Sequence, residues 1–514
     1  MKNNPILGTD YPDVDAIRVG DTYYMISTTM HFMPGGVILR SYDLIHWEII
    51  TYVYDTLDDT PAQCLQDNQC IYGQGMWAAS LRYHKGKFYV CFVANDTHKT
   101  YLYQAEDIKG PWKKSIVEGF YHDCSLLFDD DDRIYIVYGN RDIFLTELKA
   151  DLSGPKPDGL HRLLISDTEN VILGYEGAHI YKINGKYYIF FIHWLADQNK
   201  RRVEACFVSD SLTGNFTGRN ILDDDMGHHN AGVAQGGIID TPEGDWYAIL
   251  FQDYGAVGRI PVLVPMRWEN DFPVLGVDGK IPQEILINST RPNHSYEPLA
   301  QSDDFHYLPD TDGRVHLKNV WQWNHIPDHA LWSVTEKPGA YRIKSGSICN
   351  NVVSAVNTLT QRMTLPSCEA SVTIDGSALR NGDYAGICAL LGCYGLIALT
   401  KEAEQYYLVM LAKEPGDPHS MGKPLDMEFG KEYARVPVEN SEIRLKIHAN
   451  LQDRIDEVEF YYQNKDEWKK LGITHKIYFQ LDHFAGCRFG LFMFSTKQVG
   501  GVADFKNFYY TCFK

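Results

Sequence analysis

Asp13, Trp77, Asp123, Glu176 and Gln235 occupy equivalent places in a recurring pattern. Each lies three or four residues ahead of an apolar stretch that passes through a short turn of Gly, Asp or Asn into an aromatic-rich partner. Three of the five are carboxylates. Brought to one place, they could divide acid–base chemistry: a carboxylic acid to protonate a leaving oxygen, a carboxylate to activate water, and a third whose like charge keeps the acid protonated. Cleavage of a glycosidic bond with inversion uses such an acid and base, set roughly 6.5–9.5 Å apart so that water fits against the anomeric carbon. Unpaired carboxylates are costly in a closed channel, so their convergence argues for function rather than solubility.

A repeat is what must position them. The hairpins read IRVGDTYYMIST from Ile17, LRYHKGKFYVCFV from Leu81, LLFDDDDRIYIVYG from Leu126, IYKINGKYYIFFIH from Ile180 and IIDTPEGDWYAILF from Ile238, with starts 64, 45, 54 and 58 residues apart. Several are followed by a further strand near a bulky aromatic, as at Ser41 to Trp47, Ala105 to Trp112 and Ser209 to Phe216. Units of this size, built from a hairpin and flanking strands, suit radial blades. The reading is an all-β protein whose residues 1–290 form a five-bladed β-propeller, with an irregular β-sandwich as the rival. The residue just ahead of each innermost strand then faces a shared axial channel.

Composition narrows the partners. A net charge of −19 without any basic run disfavours nucleic acid and anionic membranes, and most of the acidic residues read as solvated surface. Thirty-three Tyr and ten Trp suit strands and surfaces that stack sugar rings. The start of the chain carries no apolar export segment and no long apolar run occurs later, so a cytoplasmic location is expected. Eleven scattered cysteines without a CxxC pair fit free thiols in a reducing compartment, with Cys64 and Cys70 the nearest candidates for a disulfide. Oligomeric state is not legible.

Proline-rich sequence from Ile281-Pro282 to Glu297-Pro298 has linker character, and the hairpin repeat stops after it. Residues 291–514 read as short alternating strands, as at Tyr406 to Met410 and Ile443 to Ile447, consistent with a β-sandwich.

Asn3-Pro5-Ile6-Leu7, Tyr11-Pro12-Asp13, His122-Asp123 and Tyr175-Glu176-Gly177-Ala178-His179-Ile180-Tyr181 resemble the motifs of glycoside hydrolase family 43 in order and spacing. The resemblance implies Asp13 as general base, Asp123 as the carboxylate that modulates the acid, and Glu176 as general acid. Asp10 and Asp15 miss the motif position, and Asp129 to Asp132 fall in a hairpin turn. The resemblance further implies that Arg259 bonds sugar hydroxyls near the base, with a structural salt bridge as the alternative. It casts Trp77 and Phe32 as walls of the sugar pocket, with plain core residues as the alternative. No cofactor is required for the chemistry. Many relatives carry an axial histidine beside a hydrated calcium where this chain has Gln235, which leaves Gln235 and His229, next to His228, as weak candidates for a structural calcium and Gln235 also as a sugar contact.

Trp321 to His325, Asn357 to Arg362 and Ala503 to Phe505 resemble the concanavalin A-like domain appended to such enzymes. Packing on the propeller, with a loop lent to the pocket rim, is the expectation; an independent carbohydrate-binding role is the rival. Asp304 and Asp504 are candidates for a structural calcium or for surface pairing. The substrate implied is an arabinoxylan-derived oligosaccharide losing terminal α-L-arabinofuranosyl residues. A β-1,4-xylosidase is the close alternative, and a non-catalytic sugar-binding propeller the alternative from another class. A retaining fructosidase would need a W-M-N-D-P-N-G start, which is missing.

Overall fold

The computed structural model describes residues 2–196, 200–414 and 425–513. Five four-stranded antiparallel sheets come first. Blade one comprises Asp15–Val19, Thr22–Ser27, Gly35–Ser41 and Glu48–Tyr54; blade two Met76–His84, Lys87–Ala94, Lys99–Ala105 and Lys113–Val117; blade three Ser125–Phe128, Ile134–Asn140, Asp142–Leu148 and His161–Ser166. Blade four comprises Val171–Ile183, Lys186–Leu195, Arg202–Ser209 and Thr217–Leu222, and blade five Ala234–Asp240, Trp246–Asp253, Arg259–Glu269 and Phe272–Leu275. The first strand of each blade lies against the first strands of its neighbours around a ring.

Turn chemistry fixes the hairpins. Lys85-Gly86 and Asn184-Gly185 take φ of 47° and 81° and of 50° and 80°, the left-handed pair of a type I′ turn that matches strand twist. Registers His84↔Lys87 and Ile183↔Lys186 follow from them.

The ring is closed by the N-terminal segment. Asn4 is buried and donates its amide to the carbonyls of Leu263 and Pro282 at 2.8 and 2.9 Å while accepting from the Leu263 amide. Around the axis, Asp15 and Arg82 tie the blades together. The Arg82 guanidinium reaches Asp15 at 2.5 Å, the Leu126 carbonyl at 2.9 Å and the Ser125 hydroxyl at 2.6 Å. Asp15 also faces His179 at 3.2 Å, and the Tyr181 hydroxyl accepts from the Ile238 amide at 3.1 Å. Arg82 and His179 outweigh burial and hold the Asp15 carboxyl below the usual range, so this aspartate is a structural anion.

Two further sheets form the concanavalin A-like sandwich. One runs Phe32–Met33, Gln322–Asn324, Leu359–Arg362, Arg488–Ser495, Asp383–Leu390, Gly395–Glu402, Gln405–Ala412 and Lys431–Val438; the other centres on Val502–Phe513 and Ser367–Asp375. Its first strand belongs to the propeller half of the chain: Phe32 pairs with Asn324 and Met33 with Trp323. One apolar core runs from Tyr11, Val14 and Val257 into Leu359, Met363 and Phe489 without a break. Among the described residues there is no α-helix, only three 3-10 turns.

One expectation changes here, and free thiols and ion pairing are found at two others. Phe32 is a seam residue rather than a pocket wall, buried at 2% exposure with the Arg488 guanidinium 3.4 Å from its ring centre. No disulfide joins Cys64 to Cys70. Asp504 is held by Arg342 at 2.7 Å and Lys337 at 2.8 Å, whereas Asp304 caps the exposed turn at His306, so the two share no ion.

Candidate active site

The residues ahead of the inner strands are aimed by local backbone irregularity. Asp13, Asp123 and Gln235 adopt φ of 50°, 47° and 61°, and Gly177, just after Glu176, adopts 63°. Left-handed turns of this kind cost non-glycine residues free energy and gather where function needs them. Blades two, four and five add register shifts at Met76/Ala79, Glu176/His179 and Ala234/Gly236, bulges that re-aim a side chain out of the ladder. Gly177 has a second reason to be glycine: a Cβ there would stand 2.6 Å from the Gln235 side chain.

Asp13, Trp77, Asp123, Glu176, Gln235 and Arg259 all line one narrow cavity of about 50 Å³ on the axis. Clefts of about 740 and 660 Å³ open elsewhere and contain none of them. Asp13 is buried at 6% exposure and accepts a 2.7 Å hydrogen bond from Arg259 Nη1. Burial raises its pKa above the ordinary carboxylate value, Arg259 pulls it back, and Asp123 pushes it up again. The Arg259 backbone N–H donates to the Asp10 carboxylate at 2.8 Å, and its Nε is buried without a partner, a donor left for a ligand.

Asp123 and Glu176 lie together with His122 between them. Nε2 of His122 is 3.7 Å from Asp123 and 3.6 Å from Glu176. Asp123 above all, with help from Glu176, raises the imidazole pKa to about 9 against its burial, so it carries positive charge at neutral pH. Burial, opposed by His122, raises Asp123. The like-charge repulsion expected of Asp123 on Glu176 is therefore offset by a cation that the motifs alone do not reveal. The Asn140 amide donates to Glu176 Oε2.

Other walls were not legible from the motifs. Phe484 reaches in from the sandwich, with its ring 4.3 Å from the Arg259 guanidinium and 5.9 Å from Trp77. Its loop is pinned to the propeller by Gly486 N–H donating to Asp10 and Cys487 N–H donating to Ala256, both at 2.8 Å. Arg202 lines the cavity beside Phe251, pairs with Asp253, and has a buried Nε without a partner.

At the axial position the Gln235 backbone N–H donates to the Glu204 carboxyl at 2.8 Å, and burial raises the Glu204 pKa well above its ordinary value. His229 lies with His228 and Asp453 at the seam, away from the axial cavity that holds Gln235. No step of the chemistry is routed through calcium.

Residues 2–273 match the model of glycosyl hydrolases family 43, and residues 313–511 match the beta xylosidase C-terminal concanavalin A-like domain. The chain belongs to glycoside hydrolase family 43. It is 28% identical to a beta-xylosidase of Formosa agariphila over 99% of this chain and 90% of that protein. A non-reducing end alpha-L-arabinofuranosidase of Bacteroides ovatus is 26% identical over 67% of this chain and 65% of its own length. A solved bifunctional GH43-CE protein of Bacteroides eggerthii superposes with a TM-score of 0.90 at 40% identity; the match covers 99% of this chain but only 63% of that one. This family 43 chain is thus a glycoside hydrolase with the propeller and sandwich of its relatives.

Proposed function

We propose that this enzyme removes terminal α-L-arabinofuranosyl residues from arabinoxylan-derived oligosaccharides with inversion, and that the same pocket accepts β-xylosyl termini. The observation that carries the reading is the split of the carboxylates: Asp13 with Arg259 on blade one and blade five, Glu176 with Asp123 on blades four and three. A base and an acid on non-adjacent blades leave room for water between Asp13 and a bound sugar. Asp13 takes a proton from that water as its oxygen bonds to the anomeric carbon. The glycosidic bond breaks in the same step, and Glu176 gives its proton to the leaving oxygen. Arg259 holds Asp13 and has a donor to spare for a sugar hydroxyl. Asp123 and His122 together set the charge around the acid.

A cavity this narrow supports an exo mode, since it offers no groove for a run of sugars. Relatives named for each of the two sugars support a shared site. The test is a pair of assays with 4-nitrophenyl α-L-arabinofuranoside and 4-nitrophenyl β-D-xylopyranoside. We expect the higher kcat/KM on the arabinoside; negligible arabinose release beside rapid xylose release would make the enzyme a xylosidase instead.

A further inference from the structure

At the rim, the loop between Thr217–Leu222 and Ala234–Asp240 carries two adjacent histidines toward the sandwich. His228, His229 and Asp453, the last from the turn Gln452–Arg454, bring one ligand atom each to within 4.8 Å of one another. The loop is held in place: the Asp225 carboxylate accepts from the amides of Gly227 and Asn230 at 3.0 Å, and Gln252 donates to the carbonyls of Asp225 and Ala231 at 2.7 Å. The His228 ring is fixed as well, stacked on Tyr254 with centres 3.7 Å apart and planes 5° off parallel. A second observation points to a ligand. His228 is 7% exposed and its Nε2 is buried without a hydrogen-bond partner. A buried ring nitrogen in that state is costly, and a bound ion nearby would fix its tautomer and orientation.

We propose that His228, His229 and Asp453 bind a divalent transition metal of the zinc class and so staple the propeller rim to the sandwich. Two imidazoles and one carboxylate fill three positions of a tetrahedral zinc site and leave the fourth to water. Calcium is the wrong ion for this set, because it takes six to eight oxygens. Arg454, next to Asp453, donates from its guanidinium to the Asp253 carbonyl at 3.4 Å.

Calorimetric titration of chelator-treated enzyme with zinc chloride, with cobalt absorption as the spectroscopic check, tests the site independently of hydrolysis. One equivalent should bind to the wild type and raise its Tm. His229→Gln and Asp453→Asn, both exposed substitutions, should each weaken binding by about tenfold or more. Glu176→Gln should leave it intact, which separates this site from the cluster His122, Asp123 and Glu176. Absence of stoichiometric binding, binding undiminished in both seam variants, or its loss in Glu176→Gln would overturn the proposal.

Discussion

His122 is the residue that most alters the expected electrostatics. Its position beside Asp123 is plain in the sequence, but its approach to Glu176 exists only once blades three and four are side by side. The His122→Gln variant has a definite sign. His122 opposes the burial that raises the Asp123 carboxyl, so its removal should push Asp123 further above the ordinary carboxylate range. Followed by carbon-13 NMR, the Asp123 carboxyl should titrate at higher pH in the variant than in the wild type; an unchanged or lower midpoint would contradict this role. The three carboxylates were legible because each precedes the same hairpin. Phe32 sits at the seam because its two-residue strand joins the sandwich sheet by pairing with Asn324, a contact nearly three hundred residues away that local sequence does not announce. Phe484 and Arg202 carry no local signal: one enters from the other domain, and the other opens its strand, where an arginine reads as solvated surface.

The axial network of Asp15 and Arg82 belongs to the scale of elements. Every blade's inner strand touches it, directly or through Tyr181, so it fixes the spacing on which the pocket depends. Removing the cation strands a fully buried carboxylate. Arg82→Met should therefore cost about 3–5 kcal/mol, the penalty for breaking a buried pair, measured as a lower midpoint in urea. A loss under about 1 kcal/mol, the range of exposed pairs, would mean the network is dispensable. Hairpins and their turns could be read directly, since Asn-Gly and Lys-Gly pairs dictate type I′ geometry. The left-handed residues ahead of the inner strands could not, because aspartate and glutamine give no local sign that tertiary contacts will hold them there.

For the whole molecule, the sandwich is part of the catalytic architecture. It takes Phe32–Met33 into its sheet, shares a continuous core with the propeller, and supplies Phe484 to the cavity wall. Residues 1–290 expressed alone should be insoluble, or soluble and inactive. Full activity with loss only of polymer binding would instead make the sandwich a separable binding module. The repeat and the linker announced two domains, but a core that crosses the boundary depends on contacts hundreds of residues apart.

Inversion is the central claim, and proton NMR of the first sugar released tests it most directly. Following an α-L-arabinofuranoside from the first turnovers, before mutarotation, the β-anomer should appear first. Initial appearance of the α-anomer would mean a covalent intermediate and would overturn Asp13 as the base.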